Sequence, residues 1–167
     1  MSAPVYIGVD PAFRVGGFWA AIVDMTDKSV IFKGFANLLD WHDWLRSPDA
    51  PDNCFVCVEN SNMQNSTFAY GMKGSSKVVA KISRDVGNNQ AVSELAYISA
   101  LRHYGDRAFQ VSPKQKGKKW TPKQFGYIIA QDGVTIPKGD IGQDCRDAYQ
   151  LACIARRMAL VNGHFKK

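Results

Sequence analysis

Short runs of apolar and β-branched residues, separated by turns rich in glycine and aspartate, predict five β-strands. They lie at residues 4–10, 18–23, 30–35, 54–59 and 108–112. The first three strands follow one another closely along the chain, which favours an antiparallel meander. The runs at 4–10 and 54–59 are apolar at both alternating sets of positions, which is typical of strands in the middle of a sheet.

Apolar residues at helical spacing predict four helices, at residues 37–46, 84–104, 121–130 and 142–160. Asn37 is expected to cap the first of them, and Thr121 followed by Pro122 marks the start of the third. Residues 60–82 are polar and lack this spacing, so we expect an irregular segment there. The order βββαβαβα predicts a single α/β domain over residues 1–167, with a five-stranded mixed sheet and helices on both of its faces.

Two of the predicted strands end in a carboxylate, Asp10 in the first and Glu59 in the fourth. Side chains alternate along a strand, so Asp10 shares a face with Tyr6 and Gly8, and Glu59 shares one with Cys57. If the two strands are parallel neighbours, both acids emerge together at the carboxyl edge of the sheet, where open α/β folds bind ligands.

The first turn of the last helix carries two further acids, Asp144 and Asp147, which are expected to project toward the sheet. We place Asp144 on the core-facing stripe and Asp147 beside it, while Arg146 and Gln150 should point away. Each acid alone is also compatible with a cap or a turn. Four converging carboxylates, however, suit hard oxygen-loving ions, and they predict a site for two Mg²⁺ ions, with Mn²⁺ as a substitute.

The formal net charge of +6 favours a polyanionic partner, and the lysines and arginines are concentrated in two segments. Phosphate contacts are predicted for these segments together with two nearby aromatic residues; a merely solvated surface remains the alternative. The predicted nucleic-acid-binding residues are Phe68, Tyr70, Lys73, Lys77, Lys81, Arg84, Lys114, Lys116, Lys118 and Lys119. A phosphodiester is therefore the expected substrate.

The remaining features point to a cytoplasmic protein, of a bacterial or phage-infected cell rather than an organelle. No secretory signal and no membrane-spanning apolar run are visible, and no membrane partner is expected. Cys54 and Cys57 lie on opposite faces of one strand, so all four cysteines are interpreted as reduced, small apolar residues.

The ordered set of motifs resembles the ribonuclease H-like superfamily, and within it the RuvC-type Holliday-junction resolvases. The matching pieces span nearly the whole chain: Ile7-Gly-Val-Asp10-Pro11, Val56-Cys-Val-Glu59, the helix from Gly87 to Tyr104, Val111-Ser-Pro113, and Asp144-Cys-Arg-Asp147-Ala-Tyr-Gln-Leu-Ala152. Two departures are Ala12, where the family usually has glycine, and Asn62, where it often has an aromatic wedge. Met63, Phe68 or Tyr70 are the candidates to replace that wedge.

The resemblance implies a ribonuclease H-like fold and a magnesium-dependent endonuclease that resolves four-way DNA junctions by symmetric paired nicks. Asp10, Glu59, Asp144 and Asp147 would be its catalytic metal ligands, and Lys118 and Lys119 would assist at the scissile phosphate. It also implies a homodimer, which places two sites on opposite strands of the junction.

Other functions remain open. The same fold could act on RNA–DNA hybrids or on other branched DNA, or it could bind nucleic acid without cutting it. An ATP-binding protein of the actin and sugar-kinase superfamily starts with a similar acidic strand, but such proteins need two domains and further glycine-rich loops.

Overall fold

The computed structural model describes residues 4–63 and 74–163, and within them a five-stranded mixed sheet lies between two layers of helices. The strands are β1 (Val5–Asp10), β2 (Phe18–Asp24), β3 (Ser29–Phe35), β4 (Cys54–Glu59) and β5 (Ala108–Val111). The helices are α1 (Leu38–Leu45), α2 (Ser76–Tyr104), α3 (Pro113–Lys116), α4 (Pro122–Asp132) and α5 (Gln143–Val161). The predicted α/β class is therefore confirmed.

The sheet has the strand order β3-β2-β1-β4-β5, which puts the two most apolar strands side by side at its centre. β1, β2 and β3 form the expected antiparallel meander, whereas β4 pairs parallel with β1 and β5 pairs parallel with β4. The carboxyl ends of β1, β4 and β5 consequently meet at one edge of the sheet.

Each face of the sheet has its own core. One core contains Trp41 and Trp44 from α1 and Ala96 from α2, and the other contains Phe125 from α4 and Leu151 from α5. Cys54 belongs to the first core and Cys57 to the second, so the two lie on opposite faces as predicted, and all four cysteines are free.

Gly8 determines how closely α5 approaches the sheet. A Cβ atom at this position would lie 1.9 Å from the backbone oxygen of Ala148 and 2.2 Å from the backbone nitrogen of Ala152. Only a residue without a side chain allows this contact. Because Gly8 is two residues before Asp10, the same contact brings the first turn of α5 to the end of β1.

Two expectations about the helices were wrong. α2 begins at Ser76, where Ser75 caps it by accepting a hydrogen bond from the backbone N–H of Val78, so residues 76–82 are helical rather than irregular. Residues 113–116, expected to be loop, form α3, whose capping box joins Ser112 and Gln115. The Asn37 and Thr121 caps are confirmed.

Candidate active site

Asp10 and Glu59 end two adjacent parallel strands. The preceding residues, Val9 and Val58, are directly paired, so the two carboxylates follow at the same level of the sheet. Their strand-mates Tyr6, Phe55 and Cys57 belong to the core beneath α5. The strand register therefore turns both acids toward the helix that carries Asp144 and Asp147.

The two acids of α5 differ in burial. The sequence pattern predicted Asp144 to face the core more directly than Asp147, and this was wrong. The side chain of Asp147 is 1% exposed, whereas that of Asp144 is 27% exposed. Asp147 is one residue before Ala148, whose backbone is in close approach to β1, and it therefore lies against the sheet. Asp144, one turn earlier, lies nearer the mouth of the site.

All four acids line one open cleft of about 240 Å³ at the carboxyl edge of the sheet. Arg14 from the β1–β2 turn, Asn89 and Ser93 from α2, and Lys116 and Lys119 from the segment after β5 line the same cleft. The structure thus brings together acids that lie up to 137 positions apart, from Asp10 to Asp147, as the sequence pattern predicted.

The clustering of negative charge changes the protonation of Asp10. Burial, and then the nearby charge of Glu59, raise the pKa of Asp10 to about 8; Asp147 and Asp144 add to this and Lys116 opposes it. Without a further cation, this carboxyl group holds its proton at neutral pH. A divalent ion in the cleft would reverse this preference by stabilising the charged form.

Lys116 is the cation most deeply placed in the cleft. Its side chain is 4% exposed, and its Nζ lies 2.6 Å from Oε2 of Glu59 and 3.6 Å from Oδ2 of Asp147. Burial alone would lower the pKa of Lys116, but the contact with Glu59 and the charges of Asp147 and Asp10 raise it above its ordinary value. Lys116 is therefore held as an ammonium ion.

The backbone around Lys116 is tied to α5 by Gln150, which was expected to point away from the core. Gln150 is instead 5% exposed, and its side-chain nitrogen donates to the backbone oxygens of Lys116, at 3.0 Å, and Lys118, at 3.2 Å. A helix residue one turn beyond Asp147 thus fixes the segment that carries the lysine.

Two further cations lie at the rim. Lys119 Nζ is 3.4 Å from Asp147 on a side chain that is 66% exposed, and Arg14 donates two hydrogen bonds to the carboxylate of Asp144, at 2.9 and 3.1 Å. Gln143 donates to the other oxygen of Asp147 at 2.8 Å. The cleft therefore has an acidic floor and a basic rim.

The other predicted nucleic-acid-binding residues that the structure describes are exposed, and they do not line the cleft. Lys118 is exposed and does not line the cleft, whereas Lys116 and Lys119 do. Lys116, rather than the predicted Lys118, therefore lies beside the acids together with Lys119. Lys114 is exposed on α3, and the exposed residues Lys77, Lys81 and Arg84 lie on the first half of α2. Phe68, Tyr70 and Lys73 lie outside the described residues.

Asn60, which directly follows Glu59, is a buried polar residue that the sequence analysis did not select. It is 0% exposed, and its side-chain nitrogen donates to Glu94 at 2.7 Å and to Gln110 at 2.9 Å. Its side-chain oxygen accepts from the backbone N–H of Asn62. Asn60 thus joins β4, α2 and β5 and fixes the chain next to Glu59; an asparagine directly after a strand-ending acid was the available signal.

The donor set fits a hard divalent cation. Carboxylate oxygens are the ligands that Mg²⁺ and Mn²⁺ prefer, and Oε2 of Glu59 is buried with the ammonium group of Lys116, 2.6 Å away, as its ion-pair partner. Within residues 4–63 and 74–163, no three His, Cys, Asp or Glu side chains already stand in a metal-holding arrangement.

Comparison with protein-family models, with curated proteins and with solved structures gave no match for this chain. Among the helices that the structure describes, none has the length and apolar character needed to cross a membrane.

Proposed function

We propose that the protein is a metal-dependent endonuclease of the ribonuclease H-like type that cuts branched DNA, foremost four-way junctions. The observation that carries this proposal is the shared cleft of Asp10, Glu59, Asp144 and Asp147. Four carboxylates are costly to bring together unless cations hold them, and a basic rim beside them suits a phosphate backbone.

In this proposal, each group in the cleft has a role that follows from its position. Asp10, Glu59, Asp144 and Asp147 would hold two Mg²⁺ or Mn²⁺ ions. When bound, such ions supply an activated water and stabilise the departing oxygen of the phosphodiester. Asp147 is oriented by Gln143, and Glu59 is fixed through the Asn60 contacts. Lys119, which is largely exposed, is free to turn from Asp147 to a substrate phosphate.

Resolution of a four-way junction requires two cleavage sites, so the proposal includes a homodimer. Supporting it, the first half of α2 exposes the apolar side chains of Val78 and Ile82, at 47% and 40%. Large contiguous apolar patches mark subunit interfaces, and we propose that these two side chains form part of one. The exposed cations Lys77, Lys81 and Arg84 on the same helix are proposed to contact DNA.

The direct test is magnesium-dependent cleavage of a synthetic four-way junction, beside a flap, a plain duplex and an RNA–DNA hybrid, with nick positions mapped on every arm. We expect paired symmetric nicks in the junction. Asp10→Asn and Asp147→Asn should lower the rate by about 100-fold or more, the scale of losing a transition-state contact, while junction binding persists. Asp49→Asn, at an exposed carboxylate outside the cleft, is the matched control.

Other outcomes would change the assignment. Equal cleavage of the hybrid would favour a ribonuclease, and cleavage of the flap alone would favour another branched-DNA nuclease. Junction binding without any cleavage, over a range of Mg²⁺ and Mn²⁺ concentrations, would identify a non-catalytic binding module. Unchanged cleavage by Asp10→Asn would remove Asp10 from the mechanism.

A further inference from the structure

Lys116 occupies the space between two of the carboxylates to which we assign metal binding. Its ammonium group is within 2.6 Å of Glu59 and 3.6 Å of Asp147, and both of those side chains are themselves mostly buried. A lysine usually keeps its charged end in water, whereas this side chain is 4% exposed. Some strong interaction must therefore offset the cost of removing it from solvent.

The acidic cluster provides that interaction. An isolated buried carboxylate or ammonium ion is strongly disfavoured, and close pairing is the usual remedy. Lys116 supplies positive charge to both Glu59 and Asp147. Lys119 contacts Asp147 from the rim of the cleft, and Arg14 pairs with Asp144 near its mouth. Among the described residues, Lys116 is thus the only buried cation in the cleft.

The same position creates a conflict with a divalent ion. A metal held by Oε2 of Glu59 or Oδ2 of Asp147 would have to share those atoms with the ammonium group. Like charges a few ångströms apart repel strongly at the low effective dielectric of a protein interior. The ammonium and the metal therefore cannot both keep their closest contacts with Glu59.

We infer that Lys116 is the built-in counter-ion of the acidic cluster in the metal-free protein, and that a divalent ion binds by displacing its ammonium group from Glu59. This inference rests on the proposed metal-binding function of the cleft. Metal binding is then an exchange of one cation for another, so Lys116 lowers the affinity for the metal while it stabilises the metal-free protein.

Direct metal titration tests the exchange. Mn²⁺ binding to the full chain without DNA would be measured by calorimetry for the unsubstituted protein, Lys116→Met and Lys119→Met. Methionine has an unbranched side chain one atom shorter than that of lysine, and it carries neither a charge nor an oxygen that could bind the metal. We expect Lys116→Met to bind Mn²⁺ at least about tenfold more tightly, and Lys119→Met, at an exposed position, to change affinity by less than about threefold.

Thermal unfolding of the same variants gives a second readout. In chelator, Lys116→Met should unfold at a lower temperature than the unsubstituted protein, because Glu59 and Asp147 lose their buried partner. Saturating Mn²⁺ should then raise its unfolding temperature by more than it raises that of the unsubstituted protein. A merely structural lysine would lower the unfolding temperature equally with and without metal, and that result would overturn the inference.

A measurement on the unsubstituted protein covers the case in which Lys116→Met fails to fold. Amine-reactive labelling, read by mass spectrometry, should leave Lys116 protected in chelator and modify it faster once Mn²⁺ is bound. Lys114, which is exposed two residues earlier in α3, serves as the internal reference. Unchanged protection of Lys116 with Mn²⁺ bound would contradict displacement.

The outcomes separate the two proposals. If the unsubstituted protein binds Mn²⁺ and Lys116→Met binds it no more tightly, the counter-ion role fails and the metal site stands. If neither protein binds Mn²⁺, and Asp10→Asn cannot be distinguished from the unsubstituted protein in the same titration, both the exchange and the metal-dependent function are wrong.

Discussion

The carboxyl group of Asp10 shows how far surroundings alter the chemistry of a single residue. At the end of β1 it is removed from water and faces three other acids, so its charged form is disfavoured on both counts. Glu59 and Asp147, by contrast, have Lys116 within ion-pair distance. The cluster is thus unequal: Glu59 and Asp147 share one buried lysine, Asp144 pairs with Arg14, and Asp10 is neutralised by a proton.

This inequality predicts how stability depends on pH when no metal is bound. The pKa of Asp10 is about 8 in the folded protein against 3.8 for an ordinary aspartate. Between these values the folded state binds the additional proton, so the free energy of unfolding falls as pH rises from about 4 to about 8. In chelator, urea unfolding across this range should show that decline, and Asp10→Asn should reduce it.

The control is Asp49→Asn, at an exposed carboxylate, which should leave the slope unchanged. Saturating Mn²⁺ should also flatten the curve of the unsubstituted protein, because a cation favours the charged form of Asp10. An Asp10→Asn protein that keeps the full decline would show that another group titrates instead.

At the scale of elements, the sequence predicted best where burial is periodic. β1 and β4 are short, apolar and surrounded by turns, so strand parity alone placed Asp10 on the face of Gly8 and Glu59 on the face of Cys57. The structure shows that α5 covers this face. The start of α2 was missed because its first turns are exposed and have no buried stripe to reveal them. Only the serine cap at Ser75 marked the true start.

The segment that carries Lys116 was misread for a different reason. Among five lysines between residues 114 and 123, composition alone cannot show which one is buried. The pattern Ser112-Pro-Lys-Gln115 is a capping box with proline in the first turn, and it would have predicted α3. The contact of Gln150 with this segment joins residues 34 positions apart and is visible only in the folded chain.

The packing of α5 on β1 gives the prediction at this scale. Gly8→Ala would force α5 away from the sheet, since a Cβ would meet backbone atoms of Ala148 and Ala152 that cannot rotate aside. We expect a loss of unfolding free energy of about 3 kcal/mol, the upper range for overpacking, measured by urea denaturation. Metal binding should weaken as well, because Asp144 and Asp147 would move away from Asp10.

Gly87→Ala is the matched control, because a Cβ at this position of α2 has no neighbour within 4 Å. Alanine in a helix interior should stabilise the protein by about 0.5–1 kcal/mol. Equal behaviour of the two variants would mean that the approach of α5 to β1 does not depend on Gly8.

Over the whole molecule, the charges are arranged so that an overall cationic chain surrounds an acidic cleft. The net charge is +6, yet the four acids of the cleft lie within one site at the sheet edge. Exposed cations lie on α2 and on the segment after β5, two parts of the chain that also contribute residues to the cleft. Under the proposed function, this charge distribution would attract a polyanion to the rim and leave the acidic floor to cations.

The two ends of α2 allow this arrangement to be tested with substitutions of the same kind. Arg84 is exposed five positions before Asn89, and Arg102 is exposed nine positions after Ser93; Asn89 and Ser93 are the residues of α2 that line the cleft. At 1.5 Å per residue, these separations along the helix are about 8 Å and about 14 Å. Junction affinity would be measured in calcium from 50 to 200 mM salt. Arg84→Ala should reduce the slope of log affinity against log salt by about one, as for one lost phosphate contact, and Arg102→Ala should leave it unchanged. If both arginines changed the slope equally, the DNA would have to extend along the entire helix, and the basic rim of the cleft would not define its path.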